Sequence, residues 1–302
     1  TMAKLIRALS ADGSAMAMAI DSTDIVSRLE QIHKTSAVIT AAAGRLSTAA
    51  SMMGTLLKAE QDTLTLRVDG GGPAGVILAV ADSEGNVKCS PQNPVVELPL
   101  NAKGKLDVGG AVGKDGALSV IRELGLKEPY IGQVPLVSGE IAEDVTEYYA
   151  VSEQTPTVCG LGVLVNPDLT VLAAGGFIVQ LLPYADNAVI DTLESNLRTL
   201  PPVSSMIRDG MTPEEIVNRV MEGLEPNILE EYHPEYRCNC SRERTEAVLR
   251  SLGRKELDAM IAEDHGAEVC CHFCNKTYAF TEAELAALRD SIPENGEDGE
   301  EA

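Results

Sequence analysis

The sequence predicts an α+β fold. An amino-terminal domain of mainly antiparallel sheet with packed helices spans residues 1–180, a helical linker spans 181–232, and a small cysteine-rich unit spans 233–290. Three observations predict it. Strand-like segments joined by tight turns recur up to about residue 180; helical patterns with no strand pattern then take over; and five of the seven cysteines fall between Cys238 and Cys274.

The elements follow in order. A long helix is expected from Thr35 to Glu60, rich in Ala, Ser and Thr. Its apolar stripe runs Val38, Ala42, Leu46, Ala49, Met53 and Leu56, a spacing of three and four. Small residues allow a neighbouring backbone to approach closely, so this helix is expected to lie across a sheet. Thr63 to Val68 alternates polar and apolar residues, the mark of a half-buried strand. The apolar run Gly75 to Ala81, the turn chemistry of Gly85-Asn86 and the run Val87 to Cys89 predict a hairpin. Gly139 to Gln154 reads as a short acidic helix. Leu161 to Val165 and Thr170 to Val179 flank Asn166-Pro167-Asp168 and predict a second hairpin.

From Leu181 to Tyr232 only helices are expected. One carries Ile190, Leu193, Leu197 and Leu200 and closes at Pro201-Pro202; another opens at Thr212-Pro213-Glu214-Glu215, a capping box with proline at the first helical position. This stretch has ten acids and three bases, a net charge of −7. Apolar stripes on helices of like charge fit a conditionally ordered segment, and they also fit an ordinary helical connector. Ser291 to Ala302 holds five acids and no base and is expected to be a disordered acidic tail.

Composition narrows the function. With 24 basic against 46 acidic residues, the net charge of −22 argues against nucleic acid as the main partner, because duplex binding needs clustered Lys and Arg. No apolar run reaches the ~18–20 residues of a membrane span. Lys4 and Arg7 have no apolar run of signal-peptide length behind them, so secretion through a cleaved leader is not expected. Gly70-x-Gly72-x-x-Gly75 fits the dinucleotide-binding pattern, but the phosphate needs a helix to start there, and Val76 to Val80 continues as strand. Gly113-Lys114 is followed by Asp115 and lacks the earlier glycine of a P-loop. Neither nucleotide nor ATP is implied. His33 sits in a helical pattern and reads as a packing or surface residue.

The cysteines carry the chemistry. Cys238-Asn239-Cys240 and Cys271-His272-Phe273-Cys274 are separated by 30 residues. A Cys-x-x-Cys turn presents two thiolates to one ion, and Cys-x-Cys in extended chain points both side chains to one face. Together they make a four-thiolate zinc site with no open position, which is structural rather than catalytic. His233, His265 and His272 lie near it and could bind metal, though helper or surface roles fit each. Ser241 reads as the N-cap of a helix to Leu252 with Gly253 as its stop, so Cys240 lies just before a helix N-terminus that favours a thiolate; Arg237, Arg242 and Arg244 add positive charge. A further helix is expected over Arg254 to Asp264, and Thr281-x-x-Glu284 caps a last one carrying Leu285, Leu288 and Ile292. Such a unit is too small to fold securely on burial alone. Structural zinc supplies an apparent ~10–16 kcal/mol in small metal-folded domains, so metal binding and folding should form one equilibrium.

Oxidation of both close pairs would consume all four ligands. A disulfide within Cys-x-Cys closes a very small, strained ring and is therefore reversible. A zinc site that never meets oxidant explains the same residues.

The residues just described resemble a known family. Arg237-Cys238-Asn239-Cys240-Ser241-Arg242-Glu243-Arg244, then Cys271-His272-Phe273-Cys274 with Tyr278 and Phe280, is similar to the bacterial thirty-three-kilodalton heat-shock protein family of redox-regulated holdase chaperones. Upstream, Glu97-Leu98-Pro99-Leu100-Asn101, Gly104 to Val108, Val137 to Ala142, Ser152 to Pro156 and Ala174-Gly175-Gly176-Phe177 resemble that family's core segments in family order, over nearly the whole chain.

The resemblance implies that the reduced chain is inactive and binds one Zn2+ through Cys238, Cys240, Cys271 and Cys274. It implies that oxidation forms the disulfides Cys238–Cys240 and Cys271–Cys274, releases zinc, unfolds the linker and exposes a surface that binds unfolding clients without ATP. It further implies a homodimer in the cytoplasm that passes clients to ATP-dependent foldases during oxidative stress. The chain departs from the family where Lys88-Cys89-Ser90 replaces an expected Arg, Gly and aromatic residue, and in the extra Cys270. Cys271 is preferred to Cys270 as ligand because it keeps the Cys-x-x-Cys spacing. Cys89 and Cys159 lie in strand patterns and read as small core hydrophobes. The expectation is a binding protein and not an enzyme. A thiol–disulfide oxidoreductase using Cys271-x-x-Cys274 and a non-switching zinc-stabilised scaffold are the competing classes, with a nucleic-acid zinc ribbon more distant.

Overall fold

A computed structural model describes residues 2–183 and 185–293, and it divides into two compact units, Thr1–Arg237 and Cys238–Ala302. The expected tail lies outside the described residues from position 294 on; Ser291 caps the last helix and Ile292 packs against the core of the second unit.

The first unit contains β1 (Lys4–Leu9), β2 (Ala15–Asp21), α1 (Thr23–His33), α2 (Ala37–Gly54), β3 (Thr63–Gly71), β4 (Ile77–Asp82), β5 (Val87–Pro91), α3 (Val108–Val112), β6 (Gly113–Glu123), β7 (Tyr130–Pro135), α4 (Ala142–Val151), β8 (Thr157–Val165), β9 (Val171–Leu181), α5 (Asn187–Arg198), α6 (Val203–Arg208), α7 (Pro213–Val220) and β10 (Asn227–Tyr232). The strands form two five-stranded antiparallel sheets, ordered β10-β1-β2-β9-β8 and β5-β4-β3-β6-β7. The α+β class with mainly antiparallel sheet is thus the observed one.

Helix α2 packs against strands of both sheets, and sixteen of its eighteen residues are buried. Local pairing explains how its hydroxyl side chains are tolerated there. The Ser47 and Thr48 hydroxyls donate to the carbonyls of Ala43 and Gly44 one turn back, and Ser51 donates to Gly85, so no hydroxyl is left unpaired. The small residues let the sheets approach. The helix is shorter than its sequence pattern: it ends at Gly54, whose backbone lies against the Asp82 carbonyl with no room for a Cβ, and Leu56 and Leu57 follow in a turn.

The first sheet is buried on both faces. Leu5, Met18, Ile20, Ala174 and Ile178 join the core around α2, while Ile6, Ala8, Ala15, Ala17, Ala19, Phe177 and Val179 face a second core supplied by α5, α6 and α7. The helices of the expected linker therefore cover one face of this sheet. Helix α6 comes close enough that a Cβ at Gly162 of β8 would meet Ser204 Oγ at 2.7 Å and its backbone nitrogen at 3.0 Å. The capping box of α7 is formed: Glu215 N donates to Thr212 Oγ1 at 3.3 Å, and Thr212 N donates to the Glu215 carboxylate at 2.8 Å.

The expectation of helices alone over 181–232 is corrected by β10, which pairs antiparallel with β1. Residues 233–237, expected with the cysteine-rich unit, belong to the first unit. Val87 N donates to Glu235 O at 3.0 Å, Arg237 N to Val87 O at 2.9 Å and the Tyr236 hydroxyl to Cys89 O at 2.9 Å, which extends the β5 edge.

The second unit contains α8 (Arg242–Ser251), α9 (Arg254–Ala259), a π-helical turn (Met260–Asp264), the hairpin β11 (Gly266–Cys270) and β12 (Thr277–Thr281), and α10 (Glu282–Asp290). Its core is six buried side chains: Leu249, Leu257, Tyr278, Phe280, Leu285 and Leu288. Among the described residues, no helix is long and apolar enough to cross a membrane.

Candidate metal centre

Two short segments of the second unit carry the sulfur atoms. Cys240 directly precedes Ser241, whose hydroxyl accepts from Arg244 N at 3.2 Å and starts α8. This N-cap fixes where the chain leaves Cys240. Cys271 and Cys274 lie on the turn that closes the β11–β12 hairpin. Cys271 N donates to Lys276 O at 2.9 Å, and Cys271 O accepts from Asn275 N at 2.8 Å and from Cys274 N at 3.3 Å. Asn275 takes a left-handed φ of 58°, a conformation an Asn tolerates, and this bends the chain back into β12.

The arrangement brings Cys238, Cys240, Cys271 and Cys274 together, with all four Sγ atoms within 4.8 Å of one another. Cys238 Sγ lies 3.6 Å from Cys271 Sγ, and Cys240 Sγ 3.4 Å from Cys274 Sγ. A tetrahedron with Zn–S bonds of about 2.3 Å has sulfur–sulfur edges of about 3.8 Å, so the donor set fits a four-thiolate metal ion in size and chemistry. All seven cysteines are free thiols.

The surroundings differentiate the four sulfurs. Burial pushes the Cys238 thiol up, and burial with neighbouring thiols pushes Cys274 up to about 12. Burial also acts to raise Cys240, but the hydrogen bond from the Tyr278 hydroxyl, at 3.2 Å, and those from the other thiols outweigh it and bring it down to about 7. Of these three, Cys240 is therefore the sulfur most ready to carry negative charge. Tyr278 is the residue that sequence reasoning missed: it appeared there only as an aromatic. The signal was its place in the strand after the knuckle, paired with Val269, where a buried ring needs a partner for its hydroxyl.

Cys270 stands apart from the group. It is exposed and pairs with Thr277 at the end of β11, so the alternation of the strand turns it from the side that Cys271 takes. Histidines are absent from the cluster. His233 Nε2 lies 3.0 Å from Glu231 in the first unit, His265 Nδ1 lies 2.7 Å from Glu282, and His33 Nε2 contacts Cys89 O at 2.9 Å. Cys89 and Cys159 are buried in the core of the first unit, as expected of small hydrophobes, and burial pushes Cys89 up to about 12 and Cys159 higher still. The glycine-rich segment at Gly70 leads from β3 toward β4 with no helix, and Gly70 and Gly72 lie against the main chain of Gly113 and Ala111.

Comparison with known proteins agrees with this picture. Residues 3–281 match the family model described as Hsp33 protein. A 33 kDa chaperonin of Clostridium botulinum is 46% identical over 288 residues, which is 95% of this chain and 97% of that one. A 33 kDa chaperonin of Bacillus velezensis is 48% identical over 286 residues, 95% and 98% of the respective chains. The crystal structure of the 33 kDa chaperonin of Thermotoga maritima matches with a TM-score of 0.88 at 37% identity, over 96% of this chain and 98% of that one.

Proposed function

This chain belongs to the Hsp33 family, and we propose that it is a redox-regulated, ATP-independent holdase rather than an enzyme. One observation carries the reading: four free thiols gathered around a point of tetrahedral dimensions, in a unit whose buried core is only six side chains. Zinc bound by Cys238, Cys240, Cys271 and Cys274 supplies a closed four-thiolate centre that stabilises the small unit.

Oxidation uses the same four residues. Each pair of thiolates, Cys238 with Cys240 and Cys271 with Cys274, gives two electrons to one peroxide; a sulfur–sulfur bond forms, the peroxide O–O bond breaks, and two protons are taken up to give two waters. A disulfide needs its sulfurs about 2.05 Å apart, so the tetrahedral arrangement is lost as the bonds form. Without ligands the small unit has little to hold it folded. Residues 181–232 form the conditionally ordered linker of this reading, 1–180 the chaperone core and 238–290 the switch. Release of α5, α6 and α7 bares the alanine-rich face of the first sheet as a surface for unfolding clients. Active protein is a homodimer in the cytoplasm, its excess negative charge keeps client complexes soluble, and clients pass to ATP-dependent foldases.

The test is light scattering of a thermally denaturing client. Reduced protein holding one zinc per chain leaves the scattering unchanged, and protein treated with peroxide and mild heat suppresses it. Oxidised, zinc-free protein that fails to suppress scattering would refute the reading. An insulin-reduction assay with no turnover separates it from a thiol–disulfide oxidoreductase.

A further inference from the structure

Strand β10 covers the β1 edge of the first sheet, and its attachment differs from that of the helices beside it. Apart from Tyr232, which packs partly buried against the core around α2, it adds little apolar burial: Ile228 and Leu229 are 50% and 57% exposed. Its hold on β1 consists of main-chain pairing, Leu5 with Tyr232, Ile6 with Glu231 and Arg7 with Glu230, then a bulge before Ala8 pairs with Ile228. Ion pairs accompany the ladder: Arg7 with Glu230, and Lys4 with Glu231 at 3.3 Å and with Glu214 of α7. β10 has no strand partner on its other side among the described residues. It is an edge strand held by hydrogen bonds and charge.

Withdrawing β10 with the linker leaves β1 as a sheet edge with a row of unpaired amides and carbonyls, and such an edge is a template for another extended chain. Both ionic side chains of β1, Lys4 and Arg7, are basic and lose their acidic partners together. Ile6 and Ala8, on the same strand, belong to the face that the departing helices uncover. Hydrogen-bonding edge, positive charge and apolar face thus become available side by side.

We infer that the activated protein captures an extended client segment as an added strand antiparallel to β1, in the place of β10, and that the preferred segment combines apolar with acidic residues as Ile228 to Tyr232 does. β10 is then the occupant that keeps this edge closed in the resting protein. The inference rests on the proposed release of residues 181–232 and specifies which partner the opened surface takes.

The test uses oxidised, zinc-free full-length protein and a fluorescent peptide with the sequence of residues 225–234. Saturable binding to oxidised but not reduced protein is expected, with displacement by a denatured client. Two peptides are N-methylated on alternate residues, one at Glu230 and Tyr232, the other at Glu231 and His233. Only one of these sets points its amides at β1, so one peptide should lose at least tenfold in affinity while the other stays within about threefold of the parent. A peptide carrying Glu230→Lys and Glu231→Lys should bind at least fivefold more weakly at low salt. Equal binding of the two methylated peptides overturns strand addition. So does absence of peptide binding by protein that still suppresses client aggregation, a result that leaves the holdase reading intact; loss of suppression itself would strike that reading instead. Peptide binding that disappears as the protein dimerises would assign the edge to a second copy and likewise overturn the proposal.

Discussion

Around α2 the chain packs two sheets on a helix, and side chains such as Leu5, Met18, Ile39, Leu46, Met52 and Leu66 are almost wholly inaccessible. The second unit has a core of six buried apolar side chains among its described residues, and four partly exposed cysteines close beside them. The same residue type plays opposite parts in the two regions. Cys89 and Cys159 are sealed in the large core, where burial disfavours the thiolate and keeps them inert. Cys240 sits at the surface of the small one, where the Tyr278 hydroxyl favours the thiolate. A core that closes on itself can hide its sulfur; one too small to do so can use sulfur, through a metal, as the centre of its fold. Between these extremes lies the segment from α5 to β10, which has apolar helix faces but only the first sheet to place them on.

The largest effect is expected at a proposed metal ligand. Cys274→Ser should abolish stoichiometric zinc binding and unfold the second unit, a loss on the scale of the ~10 kcal/mol or more that structural zinc contributes. Cys89→Ala should keep full zinc content and cost ~1–3 kcal/mol of global stability. Zinc titration with a chromogenic chelator and denaturant melts measure both.

Tyr278→Phe removes the hydroxyl that donates to Cys240 and leaves the ring in place. A weakening of zinc affinity by about 10–100-fold is expected, as for other partners that orient a ligand, with the reduced fold retained. Competition against a chelator of known affinity reads the change.

Gly162→Val acts on the intermediate region. Its side chain pushes into Ser204 at the start of α6, at a cost of ~1–3 kcal/mol. Faster amide exchange in α5 and α6, with α2 unchanged, is the expected outcome, together with partial client binding before oxidation.

The smallest effect is electrostatic. Burial acts to raise the Glu214 carboxyl, but its pairing with Lys4 wins and holds it below its ordinary value of 4.5. A lowered carboxylate stabilises the folded state above its unfolded value and loses that contribution as pH falls through the lower folded value. Acidification below about pH 4.5 should therefore loosen the hold of α7 on β1 modestly, because the pair is partly exposed and screened. Exchange rates of the α7 amides from pH 6 to about pH 3, corrected for the intrinsic pH dependence of exchange, provide the check.

Much of this organisation was legible in the chain. Alternation revealed β3, and turn chemistry revealed its neighbours, because one face of each meets the core. Capping chemistry marked α7, α8 and α10 to within a residue. The four cysteines that meet in space were the ones selected by spacing, and the exposed Cys270 was the one set aside. The pattern failed where its physical basis was absent. β1 and β2 are covered on both faces, so Ile6 and Leu5 are equally buried and no period-2 signal survives. β10 is an edge strand whose side chains are mostly exposed, so Asn227 to Tyr232 shows no alternation either. Tyr278 acts on Cys240 across 38 positions of sequence, and only the folded hairpin brings the hydroxyl there.

Amide hydrogen exchange, followed by mass spectrometry on the reduced zinc-loaded and the oxidised zinc-free full-length protein, tests the coupling between the two units most directly. Residues 187–232 and 238–290 are expected to lose protection together on oxidation while α2 and the strands around it keep theirs. Protection of 187–232 that persists after both disulfides have formed and the metal has gone would contradict it.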